Sequence, residues 1–315
     1  MAALEELLKD ATAGDPITGL KWTRKTPRKL SRELRRRGFK VGRTTVTRLA
    51  RASGYTLRSN RKRLSRKQDP RRDRQMQYIA RQQREFVKAG DPVISVDTKK
   101  KELIGPFKNP GRTWRKQPVD VLETDFPSDA AGKAIPYGIY DLQRNAGYLV
   151  VGVSHDTAAF AVAAIRRWWL EVGRLDYAGH ARLLIQADGG GSNSSDSWLW
   201  KAELQAVADE FNLTLLVTHF PTGASKWNPI EHRLFAPISL NWAGQPLASY
   251  ETMLKFIRTT RTETGLHCKA RLDTSVYETG RKIMADEKVQ INLRPRRVFP
   301  KWNYTIRPHN SSSKK

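Results

Sequence analysis

Between residues 91 and 242, short apolar runs alternate with longer segments whose apolar residues recur every three to four positions. The short runs are rich in valine, isoleucine and tyrosine and predict buried strands, whereas the periodic segments predict helices that pack on them. A turn at Arg144–Gly147 joins the second and third strands into a hairpin. The predicted order is β-β-β-α-β-α-β-α, with strands at 92–101, 134–143, 146–155, 181–188 and 213–220 and helices at 156–172, 194–211 and 228–242.

This order predicts an α/β fold. Three strands followed by alternating helices and strands imply a mixed sheet with flanking helices, and the succession is that of the ribonuclease H-like fold. Residues 102–133 are rich in proline, glycine and lysine and interrupt the pattern after the first strand. We therefore predict a ribonuclease H-like domain at 91–315 with an insertion at 102–133.

Residues 26–58 carry a separate pattern of two short helices. Thr26 and Pro27 predict the start of the first helix, Gly38 predicts its end, and Thr44 can cap the second. Two short helices joined by a glycine-containing turn form a helix-turn-helix, in which the second helix reads DNA. The side chains of that helix available to phosphates or base edges are Arg43, Thr44, Thr45, Thr47 and Arg48.

Charge is concentrated in the amino-terminal part of the chain. The net charge is +26, and residues 1–90 hold 26 of the 57 basic side chains but only 8 of the 31 acidic ones. Such a surplus favours a polyanionic partner, most simply nucleic acid, over a solvated basic tail. We predict a small all-α helix-turn-helix DNA-binding domain at 1–60. A basic linker helix at 61–90 either follows DNA or is simply solvated.

Composition excludes several classes of protein. The only cysteine is Cys268, so the sequence has neither a disulfide framework nor a CxxC zinc site. Apolar runs stay well below the 18 residues of a membrane span, and no signal-peptide pattern opens the chain. GxGxxG, P-loop and GxSxG motifs are also missing, which argues against nucleotide binding and serine hydrolysis. We expect a soluble protein of the reducing cytoplasm with no membrane partner.

Three acidic residues stand where such a fold would bring element ends together. Asp97 lies on the first strand, Asp188 ends the fourth, and Glu231 lies in the first turn of the helix after the fifth. Carboxylates are the ligands that Mg²⁺ prefers, and two ions about 4 Å apart can activate a water or a 3′-hydroxyl and stabilise the leaving oxygen of a phosphodiester. The three glycines after Asp188 would leave room for a nucleic-acid backbone and allow a sharp turn.

Each acidic residue also has a purely structural interpretation. Asp188 followed by glycine is a common turn signal, and Asp97 could end a strand and pair with the lysines that follow it. Asn228 and Pro229 suit the cap and first position of a helix, which makes Glu231 the third position of a capping box. Composition and spacing leave these alternatives open. The polar residues around Glu231 that could bind phosphate are Lys226, Asn228 and Arg233.

Four segments of the sequence favour one interpretation of the three carboxylates. VDTKKKELIG, IPYGIYD, LLIQADGGGSN and SKWNPIEHRLF together resemble the DDE transposases of bacterial insertion sequences, in the ISAzo-type family related to the mariner-like group. The similarity runs from about residue 26 to the carboxyl end and includes PKWNYTIRP. It implies that Asp97, Asp188 and Glu231 are the catalytic triad and the ligands of two Mg²⁺ or Mn²⁺ ions.

The same resemblance implies an activity and its partners. A transposase of this kind binds the terminal inverted repeats of its element in double-stranded DNA, cleaves a strand and joins the freed 3′-hydroxyl to target DNA. It acts as a homodimer or a larger synaptic complex, in the bacterial cytoplasm at the nucleoid. Family members have more chain before the helix-turn-helix, so this domain is expected to be shortened at its start. The alternatives are a catalytically silent DNA-binding regulator derived from a transposase and a ribonuclease H-like nuclease.

Overall fold

A computed structural model describes residues 2–14, 21–23, 26–56, 70–221, 223–224 and 227–309. The chain divides into two compact units, Met1–Leu64 and Ser65–Lys315. The candidate Lys226 and the first part of the predicted linker helix lie outside the described residues. In the part of the chain that is described, no helix combines the length and the apolar character needed to cross a bilayer.

The described part of the first unit contains three helices and a small antiparallel strand pair. Its core consists of Leu4, Leu7, Leu30, Leu34 and Val46, contributed by all three helices. The elements are α1 (Ala2–Ala11), β1 (Thr12–Gly14), β2 (Lys21–Thr23), α2 (Pro27–Arg36) and α3 (Arg43–Ala52).

The two helices predicted in 26–58 are present, with one correction at a cap. The Thr26 side chain accepts a hydrogen bond from the Lys29 backbone N–H at 3.3 Å, as an N-cap does. Gly38, at φ +87°, follows α2 in a conformation that favours glycine. The prediction that Thr44 caps α3 is wrong, because α3 begins one residue before it and Gly42 is the cap.

The first helix described in the second unit is α4 (Arg72–Ala89), which lies within the predicted linker helix at 61–90. Its apolar residues Ile79 and Phe86 are buried, and they pack in two clusters on the sheet and on the loop after β8. The helix ends at Gly90, which has φ +75° as a left-handed C-cap commonly does. α4 is thus part of the folded unit that follows it.

A mixed sheet organises the described part of the second unit. Its central strand β3 pairs in parallel with β7 and antiparallel with β5, while β8 continues the parallel side and β6 the antiparallel side. This is the predicted ribonuclease H-like arrangement, with the sheet order β10-β11-β8-β7-β3-β5-β6-β9. The strands are β3 (Val93–Thr98), β4 (Glu102–Ile104), β5 (Gly132–Asp141), β6 (Ala146–Gly152), β7 (Arg182–Ala187), β8 (Thr214–His219), β9 (His267–Asp273), β10 (Leu293–Pro295) and β11 (Asn303–Ile306).

Helices cover both faces of this sheet. α5 and α7 bury the first face, where Trp168 and Trp200 are among the largest enclosed side chains. The segment after β8 and α9 bury the second face. The helices are α5 (Ala158–Trp168), which continues as a π-helical segment (Trp169–Gly173) into α6 (Arg174–Asp176), α7 (Trp198–Phe211), a π-helical turn (Glu231–Phe235) leading into α8 (Ala236–Asn241), α9 (Tyr250–Thr259) and α10 (Ala285–Val289).

Three features extend the predicted order. Strand β9 pairs in parallel with β6, and β11 pairs antiparallel with β8, so both edges of the sheet come from residues after 242. The predicted insertion 102–133 begins with β4, which pairs with the start of β5. The insertion is therefore anchored to the sheet at both of its ends.

Two glycines let the segment that carries Glu231 approach the sheet closely. A Cβ at Gly138 would lie 2.4 Å from the Phe235 ring, and one at Gly147 would lie 2.3 Å from Leu234. Gly138 is also the register partner of Asp97. The missing side chains on β5 and β6 create the space into which Leu234 and Phe235 pack, so this packing holds the segment that carries Glu231 against the sheet.

We expect Gly138→Ala to destabilise the protein by about 1–3 kcal/mol, because the added methyl group overpacks a filled site. Chemical denaturation monitored by tryptophan fluorescence measures the change. Combining it with Phe235→Leu, which trims the opposing ring, should recover part of the loss in a double-mutant cycle. Fully additive effects of the two substitutions would contradict this explanation.

Candidate active site

The backbone places Asp97 and Asp188 side by side. Strands β3 and β7 are parallel, and Val96 is opposite Ala187, so the residue after each of these lies at the same level of neighbouring strands. Adjacent strands are about 4.8 Å apart, and side chains at equal register point to the same face. The two carboxylates therefore meet at one edge of the central strand pair, as the strand-end argument predicts.

Asp97 is held by two hydrogen bonds. Its Oδ1 accepts from the Thr98 backbone N–H at 2.8 Å, and its Oδ2 accepts from Asn228 Nδ2 at 3.3 Å. Asn228 is itself fixed by Ser95, whose Oγ donates to Asn228 Oδ1 at 2.6 Å. Asn228 lies three residues before Glu231, so a single buried amide ties the segment leading to Glu231 to the strand that carries Asp97.

Asp188 is held by the glycine-rich turn that follows it. Asn193 donates to Asp188 Oδ1 at 3.4 Å, and its own Oδ1 accepts from the Tyr137 hydroxyl on β5 at 2.7 Å. Gly191 has φ +59°, and a Cβ there would meet no atom within 4 Å. The turn thus folds back on Asp188 while leaving open space beside it, consistent with the expectation from the three glycines.

Behind Asp188, a buried chain of hydrogen bonds fixes the end of β7. Trp200 Nε1 donates to the Tyr304 hydroxyl at 2.9 Å, and that hydroxyl lies 3.1 Å from His219 Nε2. His219 Nδ1 donates to the carbonyl oxygen of Asp188 at 2.9 Å. Burial lowers the pKa of His219 to about 4, so the ring is neutral and accepts the Tyr304 proton. His219 thus supports Asp188 by a hydrogen bond to the backbone carbonyl oxygen of Asp188.

Glu231 lies in the π-helical turn that opens the helix after β8. It is half-buried, and with Asp97 and Asp188 it lines one cavity of about 550 Å³. Phe220, Ala224 and Asn228 also line this cavity. The fold therefore brings together three carboxylates that are 91 and 43 residues apart along the chain.

The cavity carries negative charge at high energetic cost. Burial, followed by repulsion from Asp188 and Glu231, raises the pKa of Asp97 to about 8, although the Thr98 N–H opposes this. Burial also raises the pKa of Asp188, against the hydrogen bonds from Asn193 and the Gly190 backbone. Carboxylates gathered in this way favour either a bound proton or a bound cation.

The donor set suits a hard divalent cation, but it is not fully assembled. Carboxylate oxygens with unbalanced charge in a cavity open to solvent are what Mg²⁺ or Mn²⁺ requires. Within the described residues, however, no three His, Cys, Asp or Glu side chains are arranged so that they could hold a metal ion. Asp97 and Asp188 are the preformed pair, and Glu231 shares their cavity without completing a ligand group.

Several residues of the site escape detection by sequence patterns. Asp156, at the start of the segment before α5, accepts a hydrogen bond from Thr98 Oγ1 at 3.0 Å and pairs with Lys101 at 3.2 Å. Lys99 is buried, with its Nζ 3.1 Å from Glu102 Oε1, and burial lowers its pKa. The signal for Thr98, Lys99, Lys101 and Glu102 is their position in the TKKKE run after Asp97, whereas no pattern marks Asp156 as part of the site. A second cavity of about 470 Å³ beside the aspartates is lined by Lys99, Lys100, Lys101, Lys133 and Asp156.

The residues predicted to contact DNA differ in exposure. Arg43, Thr44 and Arg48 are exposed on α3, whereas Thr45 and Thr47 are half-buried. The Thr47 hydroxyl donates to the Arg43 carbonyl oxygen at 2.9 Å, within its own helix. Near Glu231, Arg233 is exposed, and the buried Asn228 uses its side chain for Ser95 and Asp97.

Comparison with known proteins identifies the family. The family described as the Rhodopirellula transposase DDE domain matches residues 3–308, nearly the whole chain. The chain belongs to this family of DDE transposases. The resemblance read from the four sequence segments is thereby confirmed. Among curated proteins, no sequence matches the chain.

Solved structures similar to this DDE transposase are remote. A Mos1 strand transfer complex has a TM-score of 0.45 and 17% identity, covering 81% of this chain and 68% of that chain. A Mos1 mariner paired-end complex with Mn has a TM-score of 0.42 and 16% identity, covering 82% and 69%. A corresponding complex with Mg has a TM-score of 0.44 and 14% identity, covering 81% and 68%. The family assignment rests on the match over residues 3–308.

Proposed function

We propose that this DDE transposase binds the terminal inverted repeats of its element, cleaves a DNA strand at the element end and transfers it to target DNA. The observation that carries the proposal is the cavity shared by Asp97, Asp188 and Glu231, three carboxylates that repel one another at one end of the central strands. Such a site is suited to cations and, through them, to the phosphates of DNA.

Asp97, Asp188 and Glu231 would hold two Mg²⁺ or Mn²⁺ ions, which when bound would activate the attacking oxygen and stabilise the leaving one. Thr98 and Asn228 orient Asp97, while Asn193 and the Gly190 N–H orient Asp188. Because these supports belong to the folded sheet and its turns, two of the three ligands are positioned in advance. Glu231 completes the set by a shift within its π-helical turn, a segment type often found at functional sites.

The chemistry is two successive exchanges of one P–O bond for another. In the first, water attacks the phosphodiester at the element end and releases a 3′-hydroxyl. In the second, that hydroxyl attacks a phosphodiester of the target DNA and displaces its 3′-oxygen. The first step turns one phosphodiester and one water into a 3′-hydroxyl and a 5′-phosphate, and the second forms one phosphodiester while it breaks another and frees a target 3′-hydroxyl. Neither step needs a covalent bond to the protein. The protein contributes positioning and charge stabilisation.

We assign recognition of the repeats to α3 in the first unit. Arg43 and Arg48 are long, exposed and basic, as phosphate or guanine contacts require, and Thr44 and Thr45 stand in the same helix. Lys226 and Arg233 flank Glu231 in the sequence and would contact phosphates near the scissile bond. Assembly as a homodimer or larger synaptic complex, at the nucleoid in the bacterial cytoplasm, belongs to the same proposal.

A strand-cleavage and joining assay tests the function. The full chain is incubated with duplexes from the DNA flanking its gene and with a labelled target plasmid, with Mg²⁺, with Mn²⁺ and with EDTA. The expected result is metal-dependent nicking at the element end followed by joined products. Cleavage without joining would favour a ribonuclease H-like nuclease. Sequence-specific binding without cleavage under any condition would favour a silent regulator.

A further inference from the structure

A basic surface lies on the second unit outside the carboxylate cavity. The first turn of α4 and the chain from β10 to β11 bring positive side chains together at one edge of the sheet. We name this surface the basic track and define it as Arg71, Arg72, Arg74, Arg294, Arg296, Arg297 and Lys301. All seven side chains are exposed except that of Arg72, which is half-buried.

Buried hydrogen bonds lock the two parts of the basic track to each other. Gln75 of α4 and Asn303 of β11 exchange side-chain amide bonds of 2.8 Å and 2.7 Å, and both residues are fully buried. Gln75 also donates to the carbonyl oxygen of His219 at 2.9 Å. Arg296 donates to the Tyr78 hydroxyl at 3.2 Å, so its guanidinium lies against α4. The basic side chains are therefore attached to two elements that are fixed to each other.

Aromatic rings hold the guanidinium groups of α4 in place. Arg71 lies 4.6 Å from the centre of the Trp302 ring, and Arg74 lies 5.5 Å from that of Phe299. Phe299 has φ +42°, a conformation that is uncommon for a residue with a bulky side chain. Local strain of this kind persists only where the surroundings enforce it, and it is concentrated at functional sites.

The basic track is continuous with the candidate active site. Arg72 lies 5.2 Å from the centre of the Trp227 ring, and Trp227 immediately precedes Asn228, the residue that holds Asp97. The backbone N–H of Trp227 bonds the carbonyl oxygen of Ala224, which lines the cavity and packs with Ile79 of α4. A chain of direct contacts thus runs from the cavity rim to the arginines.

From this arrangement we infer that the basic track binds the phosphate backbone of duplex DNA as the DNA leaves the active-site cavity. The inference rests on the proposed function and names a DNA contact that the function does not require. Arginines held on aromatic rings, and linked to the cavity through Arg72 and Trp227, are suited to the sequence-independent phosphate contacts that position a duplex. The contact is electrostatic, so it adds to the salt dependence of binding.

Salt-dependent DNA binding tests the inference. The full chain is titrated into a fluorescent 30-base-pair duplex of random sequence at several salt concentrations. Three double variants are compared with the wild type: Arg71→Ala with Arg74→Ala, Arg297→Ala with Lys301→Ala, and, as the control, Lys255→Ala with Lys269→Ala. The control removes the same charge from exposed lysines on α9 and β9, at the opposite edge of the sheet.

Each phosphate contact contributes about 0.9 to the slope of log Kd against log salt. We expect each track variant to lower this slope by about 1.8 and to weaken binding, with the control close to wild type. The second track variant leaves the ring contacts of α4 in place, so it keeps the test valid if the first fails to fold.

The outcomes separate the two proposals. A wild-type chain that binds no DNA overturns the proposed function. A wild type that binds with the full slope while both track variants match the control overturns the basic track alone. If the track variants lose binding to vesicles of anionic lipid but keep the wild-type slope on the duplex, the surface serves a membrane and the inference is likewise wrong.

Discussion

Asp188→Asn is expected to abolish strand cleavage and to leave DNA binding intact. The substitution keeps the size of the side chain but removes the charge that faces Asp97 across the two parallel strands. Loss of a principal charge-stabilising group at a phosphoryl-transfer site lowers the rate by at least about 10³-fold. Affinity for DNA should hold or rise slightly, because a negative charge is removed from the binding face.

The measurement is a single-turnover cleavage assay with enzyme in excess, run beside a binding titration on the same duplex. Asp97→Asn and Glu231→Gln should behave in the same way. Asp286→Asn, which removes an exposed carboxylate from α10, serves as the matched control and should cleave at the wild-type rate. Wild-type cleavage by the Asp188 variant would overturn the assignment of the carboxylates.

The sequence predicts the two aspartates well because their placement follows from strand order. Once β3 and β7 are taken as parallel neighbours, the residues after Val96 and Ala187 must meet. The role of Glu231 is harder to predict, because its helix position suits a capping box equally well. The structure assigns Asn228 to Ser95 and Asp97, partners that lie more than 130 residues away. Helix-start patterns are local and contain no information on such contacts.

The other features that the sequence does not predict also depend on contacts between residues distant along the chain. The hydrogen bonds from Trp200 through Tyr304 and His219 to Asp188 join three elements distant in sequence, and no spacing rule links them. Strand β11 is short, and its partner β8 is chosen by packing at the sheet edge. The burial of α4 against the sheet also follows from tertiary contacts, because its sequence is mostly polar and its apolar anchors are sparse.

The raised pKa of Asp97 has a consequence for stability. An unfolded aspartate has a pKa near 3.8, whereas burial and the repulsion from Asp188 and Glu231 raise that of Asp97 to about 8 in the folded protein. The folded state therefore binds the proton more tightly than the unfolded state. The contribution of Asp97 to the free energy of unfolding is therefore greatest below pH 4, and this contribution is lost as the pH rises from about 4 to about 8. At pH 8 the metal-free site opposes folding.

We therefore expect Asp97→Asn to stabilise the metal-free protein, by an amount that grows between pH 4 and pH 8 and reaches a few kcal/mol. Thermal unfolding in EDTA measures it, at about 2–4 °C per kcal/mol for a unit of this size. Asp273→Asn is the control of opposite sign. Burial raises the pKa of Asp273, but hydrogen bonds from Ser275 and Tyr277 outweigh this and lower it, so its loss should destabilise the protein above pH 4.

Divalent cations should stabilise the wild type much more than the Asp97→Asn variant, and so reverse their order of stability. A cation binds the deprotonated carboxylates, so Mg²⁺ stabilises the wild type, and more so as the pH rises, because fewer protons must be displaced. The Asp97 variant lacks this ligand and should gain little. The same substitution would then stabilise the protein in EDTA and remove the gain in Mg²⁺, a reversal that a residue with a purely structural role does not produce. If Asp97→Asn destabilises the metal-free protein at pH 8, or gains as much from Mg²⁺ as the wild type, Asp97 is a packing residue and the proposed metal site is wrong.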